Sequence, residues 1–98
     1  MYLEIVSPEA TLFSGEVDSV IVPGTSGDFQ MLNNHAPVVS TLKGGTVRIT
    51  GAITIEDTMK DRFTQDGANV NLFTISSGTV EMRNNKLFFS PTNFLLVL

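Results

Sequence analysis

The chain has 98 residues, 42% of them hydrophobic and 16% charged, with six basic against ten acidic side chains and a net charge of −4. That is enough chain for one domain and enough apolar residue for a core, which excludes a disordered tail. The acid excess argues against nucleic acid, which needs clustered Lys and Arg to displace phosphate counterions. With no cysteine, disulfides and thiolate chemistry are excluded. Met1-Tyr2-Leu3-Glu4 lacks the regions of a signal peptide, and no apolar run approaches the ~20 residues of a membrane-spanning helix.

Up to Leu42 there are five acids (Glu4, Glu9, Glu16, Asp18 and Asp28) and no base. This asymmetry reads either as an electronegative face for a basic partner or as a solubilising surface. Along the chain the apolar period is mostly two, the strand period. Glu16–Val22 begins by alternating and ends as Val20-Ile21-Val22, apolar on both faces, which predicts a strand inside a sandwich. In residues 28–31, Phe29 and Met31 alternate with polar Asp28 and Gln30. Pro37 stiffens the entry into a strand over Val38–Leu42. Thr46–Thr50 alternates with Val47 and Ile49 on one face, and the phase runs on through Gly51 to Ile53 and Ile55.

Ile55, Met59 and Phe63 are spaced by four, as in a helix, but Asp66-Gly67 just beyond is a hairpin turn signal. Residues 56–68 are therefore read as a hairpin excursion. In Asn69–Leu72 the valine and leucine share the core face and the asparagines face water. Thr79–Arg83 alternates, Asn84-Asn85 follows as a two-residue turn, and that turn sets Met82 opposite Leu87 and Val80 opposite Phe89. Residues 88–98 read as a last strand broken at Pro91-Thr92. Together these short strands and turns predict one all-β domain over 1–98, a sandwich or barrel.

Residues 23–39, PGTSGDFQMLNNHAPVV, concentrate the residues that could carry chemistry. Gly24-Thr25-Ser26-Gly27-Asp28 has the wrong spacing for a phosphate loop, no lysine, and an acid that repels phosphate. One histidine and no cysteine cannot complete a zinc shell. Asp28 and His35 lack a serine in a nucleophile elbow, so His35 reads as structural or contact rather than catalytic. Glu16 and Asp18 fall on one face of one predicted strand, the ordinary solvated pattern. The stretch is a shaped surface of the kind that meets another protein, and no cofactor or catalytic residue is assigned.

Taken in order, Ser7-Pro8, Phe13-Ser14-Gly15-Glu16-Val17, Val20–Gly24, Gly27-Asp28-Phe29, His35-Ala36-Pro37-Val38-Val39, Leu42-Lys43-Gly44-Gly45 and Ile75–Leu87 closely resemble the epsilon subunit of bacterial rotary ATP synthase, the delta subunit of the mitochondrial enzyme. The resemblance implies a flattened β-sandwich of about ten mostly antiparallel strands. It implies a non-catalytic central-stalk subunit on the cytoplasmic side of the bacterial inner membrane, with no direct membrane insertion. The implied partners are the gamma subunit and the polar loops of the membrane-embedded ring. By position, Gly27, Asp28, Phe29 and Gln30 match the turn facing the ring. Ser7 and His35, Ala36, Pro37, Val38, Val39 and Ser40 match segments approaching gamma.

Three departures bear on this. Residues 51–68 are longer than the family's hairpin usually is. Asn33-Asn34 stand where the family usually carries Pro-Gly, both choices tolerating turn geometry. The sequence also ends at Leu98, where many members continue into a two-helix domain that inhibits ATP hydrolysis and in some binds ATP. The expectation is coupling without helix-mediated inhibition or nucleotide binding. A free-standing carbohydrate module is the alternative, but it needs a row of exposed aromatics, and one tyrosine, seven phenylalanines and no tryptophan support it poorly. A cupin-like metalloenzyme needs several histidines.

Overall fold

The computed structural model describes residues 1–7 and 10–91. Among them are ten strands: β1 (Tyr2–Val6), β2 (Thr11–Glu16), β3 (Ser19–Gly24), β4 (Gly27–Leu32), β5 (Val38–Leu42), β6 (Gly45–Thr50), β7 (Thr64–Gln65), β8 (Val70–Ile75), β9 (Gly78–Arg83) and β10 (Lys86–Pro91). A 3₁₀ helix, Asp57–Arg62, is the described helical element. The strands form one curled sheet in the order β2-β1-β10-β9-β5-β3-β6-β8-β7, with β4 on the second edge of β3. The curl folds two halves face to face. They are joined where Gly24 of β3 pairs with Leu42 of β5. All pairings are antiparallel except β1 with β10.

Side chains alternate across a strand, so each half turns one face inward. Leu3, Ile5, Val80, Met82, Leu87 and Phe89 come from one half and Val20, Val22, Met31, Val47, Ile49 and Phe73 from the other, all at most 2% exposed. Phe73 bridges the halves. Its ring meets Phe63 edge-on at 5.1 Å and Phe89 edge-on at 6.0 Å, the geometry that sets a positive ring edge against a negative face.

The β9–β10 hairpin forms as the sequence implies. Met82 pairs with Leu87 and Val80 with Phe89, and Asn84 and Asn85 take φ of 53° and 59°, the left-handed pair that matches hairpin twist. The strand Val38–Leu42 is likewise present as β5.

Other expectations are corrected. Residues 16–22 are two strands, not one: β2 ends at Glu16 and β3 starts at Ser19. The Val17 N–H donates to the Met1 carbonyl at 2.9 Å and the Asp18 N–H to the Thr50 carbonyl at 2.7 Å, which turns the chain between them. Glu16 and Asp18 therefore share no strand face, and Ile21 is half-buried rather than core. The strand of residues 46–50 stops at Thr50. Ile53 and Ile55 still pack partly on the core, but from irregular backbone.

Residues 56–68 are half a hairpin. The Asp66-Gly67 turn does connect β7 to β8, with Gly67 and Asn69 at φ of 81° and 61°. The segment before it is the 3₁₀ helix, which lets Met59 and Phe63 lean on the core. The phase of β8 is the reverse of that expected. Asn71 is buried, while Val70 and Leu72 are half-buried on the outer face. Register decides this: β6 sets Val47 opposite Phe73 and Ile49 opposite Asn71, so the face bearing Phe73 and Ile75 must be inward. Of the expected last strand, β10 runs to Pro91, and residues 92–98 lie outside the described residues.

Candidate partner-binding surface

The β3–β4 hairpin closes through a two-residue turn, Thr25-Ser26, between the paired Gly24 and Gly27. Gly27 sits at φ 127°, backbone that L side chains rarely adopt. Gly24 is needed for space: a Cβ there would lie 2.7 Å from the Gly27 carbonyl oxygen and 2.9 Å from the Phe29 ring. Beyond the turn, Asp28 and Gln30 are exposed, Phe29 packs against the core and Met31 is fully buried. The alternation expected here is present. Of the four residues matched to a ring contact, Gly27, Asp28 and Gln30 are exposed, and Phe29 anchors the strand from within.

At the opposite end of β4 the chain loops back through residues 33–37 into β5. His35 is half-buried. Its N–H donates to the Leu32 carbonyl at 3.1 Å, and Nδ1 lies 2.7 Å from the Ala36 carbonyl oxygen. Ala36 and Pro37 are exposed and Val38 packs on the core. Val39 points out, 76% exposed, more than any other large hydrophobic side chain described. The Ser40 hydroxyl donates to the Thr41 carbonyl at 3.1 Å. No group of three or more His, Asp or Glu positioned to hold a metal occurs among the described residues.

Ser7 closes the β1–β2 connection. Its N–H donates to the Ala10 carbonyl at 2.8 Å, and its Oγ accepts from the Ala10 N–H at 3.2 Å. It does not meet His35. Strands β1, β10 and β5 run the same way, so Ser7, after β1, and His35, before β5, stand at opposite ends, roughly 15 Å apart along the strand direction at about 3.3 Å per residue.

Between those ends lies the outer face of the β2-β1-β10-β9-β5 half. Pairing puts Glu4, Phe88, Glu81 and Val39 in one rank across four strands. Arg83 stands over the Phe88 ring, its guanidinium carbon 5.3 Å from the centroid, and donates to Glu81 at 3.0 Å. Sequence reasoning missed Glu4, Phe88 and Glu81 as surface companions of Val39, because the rank exists only through strand pairing.

The acidic first half does not gather on one face. Glu4 is on this outer surface, Asp28 is on β4 in the other half, and Glu16 accepts from the Met1 ammonium at 3.2 Å. That distribution suits a mixed, polar-rimmed contact patch with apolar centres.

A family described as "ATP synthase, Delta/Epsilon chain, beta-sandwich domain" matches residues 1–89. The chain is 40% identical over 84 residues to the ATP synthase epsilon chain of Chlorobaculum tepidum, covering 86% of this chain and 80% of that one. It is 38% identical over 82 residues to the epsilon chain of Caulobacter vibrioides, covering 84% and 78%. With the Hyphomonas neptunium epsilon chain it is 55% identical over 49 residues, 50% of this chain and 36% of the other. Among solved structures, it is similar to a chain in the cryo-EM structure of the Tetrahymena thermophila mitochondrial ATP synthase central stalk and c-ring. The TM-score is 0.69 at 11% identity, covering 92% of this chain and 61% of that one. A chain of the Euglena gracilis mitochondrial ATP synthase gives 0.67 at 14% identity, covering 91% and 48%. At those identities the likeness is one of fold.

Proposed function

The chain belongs to the delta/epsilon chain family of ATP synthases, and from that premise we propose that it is a non-catalytic rotor subunit coupling ion flow to ATP synthesis. The proposed partners are the gamma subunit and the polar loops of the membrane-embedded ring, reached from the cytoplasmic side of the bacterial membrane. The observation that carries the reading is the family match across residues 1–89, which takes in both exposed segments described above.

In this reading the β3–β4 hairpin tip, with Gly27, Asp28 and Gln30 exposed over the Phe29 anchor, meets the ring. His35, Ala36, Pro37, Val38, Val39 and Ser40, with Ser7, meet gamma. Because Ser7 and His35 stand at opposite ends of the strands, a gamma surface touching both must cover the rank Glu4, Phe88, Glu81 and Val39 between them. Val39 is the natural centre of that contact. An exposed valine buried at an interface contributes on the order of 1.5–3 kcal/mol by removal from water, while Arg83 and the two glutamates supply register.

The test is titration of the purified chain against the gamma subunit of the same organism. Wild type should form a one-to-one complex, Val39→Asp should weaken it by tenfold or more, and Asp28→Arg should leave it unchanged. Equal affinity for wild type and Val39→Asp would place gamma elsewhere, and weakening by Asp28→Arg would merge the two proposed surfaces.

A further inference from the structure

We infer that Asn85 is the positioning residue of the loop that carries His35, an inference that rests on reading that loop as a partner-binding segment. The loop, residues 33–37, has no strand ladder of its own, and Asn33, Asn34, Ala36 and Pro37 are all exposed. Its internal bonds are short-range, between His35 and its neighbours Leu32 and Ala36. Among the described residues, two hydrogen bonds fix it to the rest of the fold. The Asn34 N–H donates to Asn85 Oδ1 at 2.7 Å, across 51 residues of sequence. The Met1 ammonium donates to Asn33 Oδ1.

Asn85 is suited to hold the loop because its own backbone is held. It lies in the β9–β10 turn at φ 59°, and its carbonyl accepts from the Tyr2 N–H at 3.0 Å. The turn itself asks only for positive φ at this position, which glycine satisfies at least as well. The asparagine side chain is therefore free for another use, and its oxygen is spent on Asn34. Asn34 is also at positive φ, 62°, which asparagine tolerates without requiring it, so an external acceptor for its N–H fixes which way the loop turns. Through this bond the approach of His35, Ala36 and Pro37 to a partner is set by a turn on another hairpin.

The substitution that separates the two roles of Asn85 is glycine, which keeps the positive φ and deletes the acceptor. Aspartate keeps both an oxygen in place and tolerance of that backbone. In the full chain, Asn85→Gly should leave thermal unfolding close to wild type, and the Asn34 amide should exchange with solvent about tenfold faster. Affinity for gamma should fall about five- to tenfold, the effect of one lost hydrogen bond of ordinary strength. Asn85→Asp should restore both. Unchanged Asn34 exchange in Asn85→Gly, or failure of Asn85→Asp to restore protection and affinity, overturns the positioning role. Absence of any complex between wild type and gamma overturns the partner reading instead, and the exchange measurement still decides whether Asn85 holds the loop.

Discussion

Gly24 offers a sharp test of the corner that joins the two halves of the sheet. A methyl group there would stand 2.7 Å from the Gly27 carbonyl oxygen and 2.9 and 3.0 Å from two Phe29 ring carbons. These separations fall well inside the 3.5–4.0 Å at which carbon contacts are favourable. The ring cannot swing away freely, because Phe29 packs against the core, and the carbonyl belongs to the paired backbone of the turn. Overpacking of this kind costs about 1–3 kcal/mol, and the entropy gained by removing a glycine from the unfolded chain returns about 0.4–1 kcal/mol. Gly24→Ala should therefore destabilise by about 1–2 kcal/mol.

Urea unfolding measures this as a lower midpoint at unchanged slope, and a thermal scan as a drop of about 4–15 °C for a chain of this size. Gly27→Ala is the matched control. A Cβ at Gly27 meets nothing within 4 Å, yet the residue sits at φ 127°, so any loss there is backbone strain alone. If Gly24→Ala is as stable as wild type, the steric account of the turn is wrong.

Two further substitutions probe the core. Asn71 is buried opposite Ile49 on the inward face of β8, at the edge of the cleft lined by Ile53, Phe63 and Gln65. Asn71→Val should stabilise the domain by about 1 kcal/mol by setting a β-branched apolar side chain opposite Ile49 in place of a buried amide, and a lower midpoint in urea would show that the amide holds hydrogen bonds the valine cannot replace. Phe73→Ala removes the ring that links Phe63 to Phe89 and should cost about 3–5 kcal/mol, a large part of a small domain's stability; a loss below about 1 kcal/mol would mean that the two halves do not depend on that bridge.

The fold class was legible because most strands are amphipathic at period two and their turns carry glycine or asparagine. The β9–β10 hairpin was legible to the residue, since Asn84-Asn85 permits one turn type and the alternation on either side allows one register. The phase of β8 was not. Within residues 69–72 the apolar side chains are Val70 and Leu72, and only the larger pair Phe73 and Ile75, set opposite β6, reverses the choice. The helical spacing of Ile55, Met59 and Phe63 was visible, but the turn signal after it favoured a strand that begins only at Thr64.

Of the candidate surface, the exposure of Asp28 and Gln30 follows from alternation, whereas that of Val39 does not. Val38 and Val39 are chemically alike, and the pairing of Val38 with Met82 chooses which one faces out. The link from Asn34 to Asn85 is a tertiary contact with no local signature.

The parallel pair of β1 with β10 also bears on how the molecule is made. Tyr2 pairs with Lys86 and Ile5 with Phe89, so β1, which is synthesised before every other described strand, completes its hydrogen bonding with the last of them. Until then the β1–β2 hairpin carries Leu3, Ile5, Leu12 and Phe13 without the face that buries them, and a lone hairpin is marginal in water. Closing so long a loop is slow, and such topologies fold in milliseconds to seconds. The nascent amino-terminal hairpin is thus the segment most in need of protection during synthesis, and a chain released before residue 86 would keep it exposed.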